Sequence, residues 1–228
     1  MGLILEEARK RPLLQVALDL IDIEKAKNIA IKVVEAGADI IEAGTPLLKS
    51  FGLLAIKELK TIARNRFILA DLKTVDAIAL EFEPYINEGV NAVTILGLVD
   101  DDILKEAYEF CKNRGVDLVV DMIYVHNPVE RAFRLADYGI EIVNIHVGVD
   151  VQRKRGITAK QLLKEVEELA GSGIVVSIAG GIKPEEVDKF IEYGAKIIVI
   201  GSAITKSSNP YEATRVAVEK IKASSARL

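Results

Sequence analysis

Short apolar runs alternate with longer charged segments along the whole chain. The apolar runs lie at 13–19, 39–44, 67–73, 92–97, 118–123, 142–147, 174–180 and 197–205. They are nearly continuous and rich in β-branched residues, the pattern of strands covered on both faces. Between them, apolar residues recur at helical spacing over 24–35, 53–62, 80–87, 103–113, 129–138, 159–170, 185–193 and 211–223. In the first of these segments Ala26, Ile29, Ala30, Val33 and Val34 share one face. Several segments run into a glycine where a left-handed cap is expected: Gly37, Gly89, Gly115, Gly139 and Gly194. Pro128, Pro184 and Pro210 each stand at a helix start, where a missing N–H costs nothing.

Eight strand–helix units in 228 residues give about 28 residues per unit, close to a βαβ repeat. Strict alternation implies a parallel sheet. An open doubly wound sheet would satisfy the pattern, but eight units close naturally into a (β/α)8 TIM barrel, and that is the architecture expected. No Pro/Gly/Ser-rich linker divides the chain. It is read as one barrel domain over 1–228 with its core at about 13–222, preceded by a short helix at 3–9 that caps the barrel bottom.

Composition narrows the chemistry. Thirty Lys plus Arg against thirty-four Asp plus Glu give a net charge of -4, which carries no footprint of a nucleic-acid or anionic-membrane binder. No apolar run approaches the roughly 18 residues of a membrane helix, and the N-terminus lacks a signal-peptide core, so a soluble cytoplasmic protein is expected. The single cysteine, Cys111, excludes an intramolecular disulfide and thiolate-rich zinc sites. It falls on an apolar helix face with Ala107 and Phe110 and reads as core. With only His126 and His146 available, a metal here must be held mostly by carboxylates, which favours magnesium or manganese.

In a barrel of this kind the site lies at the C-terminal ends of the strands. Read in order, those ends carry Asp19, Glu42, Asp71 with Lys73, Asp121 and His146, with Asp76 just beyond the third strand. Each would be costly to bury alone. Gathered on one mouth, they can pair with one another and with a metal. Asp71 and Lys73, two apart on a strand, should face the same interior. There the ammonium either stabilises a developing oxyanion or forms a structural ion pair. Glu42 and Asp71 come from adjacent strands and should repel. A divalent cation between them resolves this, as would one protonated carboxyl. Gly180-Gly181 and Gly201-Ser202 follow strands seven and eight, where barrel phosphate sites form from backbone N–H groups near a helix N-terminus. The plainer reading of these glycines is tight turns. His146 at its strand end is a candidate proton carrier. His126, beside Asn127-Pro128, reads instead as a satisfied core residue, and Arg131, Arg134, Arg153, Lys154 and Arg155 as solvated.

These residues together spell a familiar set. Asp71-Leu72-Lys73-Thr74-Val75-Asp76 carries an Asp-Xaa-Lys-Xaa-Xaa-Asp signature. Glu42-Ala43-Gly44-Thr45-Pro46-Leu47 and the stretch from His146 through Asp150 to Gln152 stand in the right order and spacing around it. Over residues 13–222 the chain resembles the 3-hexulose-6-phosphate synthases of the orotidine-monophosphate-decarboxylase superfamily. The resemblance implies a homodimeric barrel with its active site at the subunit interface. It implies an aldehyde-lyase that condenses formaldehyde with ribulose 5-phosphate, or runs the reverse, through an enediolate and with Mg2+ or Mn2+. By position, Glu42 and Asp71 would bind the metal, Asp19 and Lys73 the reacting oxygens, and Asp76 would reach the partner's site. His146 would move the proton, and Gly180, Gly181, Gly201 and Ser202 would hold the phosphate.

The chain departs from this family at Ala77-Ile78, where Thr-Gly is usual, and at Ser202, where many relatives place an arginine. A related decarboxylase is the nearest alternative. Those acting on 3-keto-L-gulonate 6-phosphate carry an arginine three residues after the histidine, where this chain has Val149. Orotidine-monophosphate decarboxylase needs no metal and would leave Glu42 without a role. A phosphosugar-binding barrel that has lost catalysis is the alternative from another class.

Overall fold

The computed structural model describes residues 2–225. Eight parallel strands close on themselves in sequence order: β1 (Leu13–Leu18), β2 (Ile40–Ala43), β3 (Phe67–Thr74), β4 (Ala92–Leu96), β5 (Asp117–Asp121), β6 (Ile142–His146), β7 (Val175–Ala179) and β8 (Ile197–Ile200). The closing pair sets Leu13 beside Ile197 and Val16 beside Ile200. Around the barrel run α1 (Leu3–Lys10), α2 (Ile23–Ala36), α3 (Thr45–Phe51), α4 (Leu53–Ala63), α5 (Ile78–Glu88), α6 (Asp101–Lys112), α7 (Pro128–Ala136), α8 (Val149–Arg155), α9 (Leu163–Leu169), α10 (Val187–Glu192), α11 (Ser202–Thr205) and α12 (Pro210–Ser225). The expected (β/α)8 barrel with a short N-terminal helix is therefore the architecture found. Among the described residues, no helix is long and apolar enough to cross a membrane.

Period-two alternation divides each strand between two cores. Leu14, Val16, Leu18, Ile41, Val93 and Val143 point outward and pack under the helices. Leu13, Ile40, Leu69, Val119, Ile142, Val175 and Ile197 point inward and fill the lower barrel. Ile4, Leu5 and Ala8 of α1 join that inner cluster, so the helix plugs the bottom. Its N-terminus has no cap from its own sequence. Asp117, at the start of β5, supplies one: its Oδ2 accepts from the backbone N–H groups of Ile4 at 2.9 Å and Leu5 at 3.2 Å. Gly2 is required beside it, because a Cβ there would sit 2.3 Å from the Asp117 carboxyl carbon.

Three short helices go beyond the expected pattern, and all three start at strand ends that line the mouth. The apolar run 197–205 was expected to be one strand. Instead β8 stops at Ile200, and Gly201, with φ -102 and ψ -98, turns the chain. Its carbonyl accepts from Ile204 and Thr205, opening α11. Helices α3 and α8 begin after Gly44 and Gly148 in the same way. Each is too short for apolar periodicity to reveal.

Candidate active site

The strand ends open into a cavity of about 530 Å³, the size of a small-ligand site. Asp19, Glu42, Asp71, Lys73 and His146 all line it, as do Gly180, Gly181, Gly201 and Ser202. Asp76 does not; it lies exposed on the loop after β3. His126 is exposed on the loop before α7 and lines no part of the cavity, so it is neither core nor site. Arg131 is not solvated: it donates to the carbonyls of Gly97 and Val99 and pairs with Asp101, bracing the loop before α6.

Strand β3 aims its charged pair through a distortion. Ala70 stands opposite Val93, but Thr74 stands opposite Ile95, so β3 carries two extra residues against β4. Lys73 takes the left-handed region at φ 49. Such strain persists where surrounding contacts over-determine it. Here the Lys73 N–H donates to Thr94 Oγ1 at 2.9 Å. Its Nζ donates to Asp71 Oδ2 at 2.5 Å and stands 3.3 Å from Asp121 Oδ2. The expected pairing of Asp71 with Lys73 is present, with Asp121 as a second anion.

Asp71 is only 3% exposed. Besides Lys73 it accepts from Thr45 Oγ1 at 2.7 Å and Thr94 Oγ1 at 2.8 Å. Glu42 is equally enclosed and accepts from Gln15 Nε2 at 2.6 Å. Burial first, and then the neighbouring charges of Asp71 and Asp19, push the Glu42 carboxyl well above the ordinary range. Asp19 is exposed at the rim, yet desolvation by the surrounding cleft, and then Asp71, raise it as well. One carboxylate oxygen from each of Asp19, Glu42 and Asp71 lies within 4.8 Å of the others. A hard divalent cation asks for such an all-oxygen set, and it would remove the repulsion recorded in the raised carboxyls. The residues fit the magnesium or manganese implied by the resemblance.

Charge runs the other way at Asp121 and Lys73. Burial would raise Asp121, but His146, Lys73 and the Ile123 N–H outweigh it and hold the carboxyl below its usual value. Burial would lower Lys73, but Asp71, Asp121 and Glu42 prevail and keep it firmly protonated. His146 Nδ1 lies 3.0 Å from Asp121 Oδ2. An ionised carboxylate only accepts, so Nδ1 carries the hydrogen and Nε2 is the basic nitrogen.

The ends of β7 and β8, the latter paired with β1, present backbone to the cavity. Gly180 has φ +123, and a Cβ there would meet the Val147 carbonyl oxygen at 2.8 Å. Gly181 has φ +70 and presses against Gln152 Oε1 in the same manner. Gln152 is anchored by donating to the Val147 carbonyl at 2.7 Å. One wall of the cavity is thus acidic and crowded. The β7–β8 side is lined with main chain, with Lys206 at the end of α11 also on the lining.

The family model described as "Orotidine 5'-phosphate decarboxylase / HUMPS family" matches residues 12–217. The chain belongs to this family. A 3-hexulose-6-phosphate synthase from Staphylococcus epidermidis is 36% identical over 209 residues, spanning 90% of this chain and 98% of that one. A crystal structure of a 3-hexulose-6-phosphate synthase superposes with a TM-score of 0.85 at 34% identity, covering 92% of this chain and 99% of its own. The synthase structure from Salmonella typhimurium gives 0.86 at 30% identity, covering 93% and 99%. Membership in the orotidine 5'-phosphate decarboxylase / HUMPS family, with relatives of this name along nearly its whole length, makes the chain a lyase-type enzyme.

Four supporting residues escaped the reading of strand ends: Gln15, Thr45, Thr94 and Asp121 in its role as partner of His146. The signal for three of them was parity. Gln15, Thr94 and Asp121 occupy inward positions, in step with Ala17, Ala92 and Val119. Thr45 heads a helix that periodicity did not show.

Proposed function

We propose that the chain is a metal-dependent aldolase. It condenses formaldehyde with D-ribulose 5-phosphate to 3-hexulose 6-phosphate, or runs the reverse. One observation carries this reading: a single cavity gathers an oxygen-only ligand set, a held ammonium, a carboxylate-oriented imidazole and the glycine backbone at the ends of β7 and β8.

Each residue then has a task. The backbone around Gly180, Gly181, Gly201 and Ser202 receives the phosphate, which fixes the pentulose at one end. Asp19 and Lys73 contact the oxygens of the reacting end, where the ammonium offsets charge as an enediolate forms. Glu42 and Asp71 would hold a divalent cation, which when bound would supply Lewis-acid polarisation of the substrate carbonyl. His146 Nε2 removes the C1 proton. The C1 carbanion attacks formaldehyde, and the same proton goes to the new hydroxymethyl oxygen, so no further reactant is needed.

A second copy of the chain completes the site in this reading. Ile21, Val75, Leu80, Leu98 and Tyr124 are exposed large apolar residues, with Leu80 80% and Ile21 77% exposed. All lie on segments that leave the strand ends of β1, β3, β4 and β5, beside the mouth. An apolar rim of this kind suits a self-complementary dimer, across which Asp76 would reach the partner's cavity.

The deciding assay mixes the protein with ribulose 5-phosphate, formaldehyde and magnesium. Hexulose 6-phosphate should form, and a chelator should abolish its formation. No product in either direction, with phosphosugar binding retained, would identify a non-catalytic barrel. Full activity in chelator would remove the metal. Light scattering should give a dimer, and a monomer at micromolar concentration would remove the shared site.

A further inference from the structure

Two polar residues on the inner wall remain without a task. Asn144 on β6 and Ser177 on β7 are register partners and both line the cavity. Asn144 is also the register partner of Asp121 on β5. Elsewhere on the wall, Gln15 and Thr94 direct their side chains to Glu42 and Asp71. Asn144 and Ser177 make no side-chain hydrogen bond among the described residues. The Oδ1 of Asn144 is sealed and unsatisfied, so its amide is the end that faces the cavity. Buried polar groups are hydrogen-bonded as a rule, and an apolar pair here would favour folding more. Their chemistry points to a ligand oxygen: an amide that only donates, beside a hydroxyl that can donate.

Depth indicates which oxygen. Ser177 lies three residues before Gly180, about 10 Å down the strand from the phosphate wall. A pentulose 5-phosphate carries its phosphate at one end and reacts at the other, so the deep pair meets the reacting end. The carboxylates of β1 to β3 disfavour negative charge on their side, whereas Asp121 beside Asn144 is already answered by His146 and Lys73. The β6–β7 side carries His146, two residues above Asn144 on the same inward face. In aldol addition, negative charge grows on the oxygen of the aldehyde as its π pair is displaced, and His146 is the group that protonates it.

We propose that Asn144 and Ser177 form the subsite that binds the carbonyl oxygen of the one-carbon aldehyde and stabilises it as C–C bond formation turns it into an alkoxide. This rests on the aldolase reading above. In the forward step the C1–C bond forms, the C=O π pair moves to oxygen, and the proton held on His146 neutralises it. In reverse, the pair receives the departing carbonyl.

The experiment separates the two half-reactions. Exchange of the C1 hydrogen of ribulose 5-phosphate with deuterated water needs enediolate formation and no aldehyde. Condensation needs both. For Asn144→Ala and, independently, Ser177→Ala, kcat/KM for formaldehyde should fall about 100-fold. The rate of C1 exchange and the KM for ribulose 5-phosphate should stay within about threefold of wild type. Equal losses in exchange and condensation would overturn the proposal, placing the pair on the pentulose. Unchanged formaldehyde kinetics in both variants would also overturn it. If the wild type neither exchanges nor condenses, the aldolase reading itself fails. Ser177→Ala removes a single oxygen and keeps the test valid should Asn144→Ala misfold, which a thermal melt would report.

Discussion

At the bottom of the barrel, Asp117 is buried against α1 and answered by backbone N–H groups. At the mouth, Asp121 is buried still more deeply, with 1% exposure, and answered by His146 and Lys73. The two aspartates begin and end the same strand. Their acidities move in opposite directions. Burial raises Asp117, and the backbone donors around it, those of Leu5 and Ile4 first, do not offset it. Burial also works against Asp121, but His146, the Lys73 ammonium and the Ile123 N–H more than compensate. Desolvation is common to both ends, and the strength of the partners set against it, His146 and the Lys73 ammonium at Asp121, decides the sign. The bottom uses its carboxyl to pin a helix. The mouth uses its carboxyls to hold an ammonium and an imidazole in position.

The strongest way to break this comparison is to remove the charge at the mouth. Lys73→Ala leaves Asp71 and Asp121 without their shared cation and should lower kcat by at least about 10³-fold. Steady-state condensation kinetics would show it, and a loss below tenfold would mean that the mouth is not the reacting centre. Gly180→Ala attacks the main-chain wall instead. A side chain at φ +123, crowded by the Val147 carbonyl, should raise the KM for ribulose 5-phosphate by tens of fold. It should also cost about 1–3 kcal/mol in urea denaturation.

Asp117→Ala tests the bottom. It should cost about 1–2 kcal/mol, as loss of a helix cap does, with kcat unchanged. The pH dependence sharpens the contrast. The raised Asp117 carboxyl is harder to ionise folded than unfolded, so its contribution to stability falls as pH rises above 3.8. Asp121, held low, contributes fully above 3.8 and loses that contribution as pH falls through its folded value. Melting temperatures of Asp117→Asn and Asp121→Asn, each set against wild type, should therefore diverge in opposite senses with pH. Parallel curves would mean that the strength of the partners is not what separates the two sites. The smallest effect concerns Cys111, where burial without a strong cation pushes the thiol to about 12. The native protein should not react with a disulfide reagent at neutral pH, and the unfolded chain should.

Much of the site was legible because barrels place function at strand ends, and strand ends are visible as the last residues of apolar runs. Asp19, Glu42, Asp71, Lys73 and His146 were found in that way, and all five line the cavity. Asp76 was found by its place in the signature, yet it stands outside the cavity of its own chain. Gln15, Thr94, Asn144 and Ser177 were not singled out, because a lone polar residue inside an apolar run does not reveal its partners. The short helices at the mouth were missed because a single turn or two has no measurable period.

The order and spacing of apolar runs, glycines and prolines determined the eight units, the parallel barrel and the wall on which the chemistry stands. These are local or near-local properties, written in periodicity and in backbone freedom. Tertiary structure alone decided which groups touch. It placed Lys73 between Asp71 and Asp121 through a distorted strand and gave His146 its tautomer through Asp121. It left the side chains of Asn144 and Ser177 on the cavity lining with no hydrogen-bond partner among the described residues. Those outcomes depend on distances between residues far apart in sequence, and electrostatic energy follows distance and burial rather than residue order.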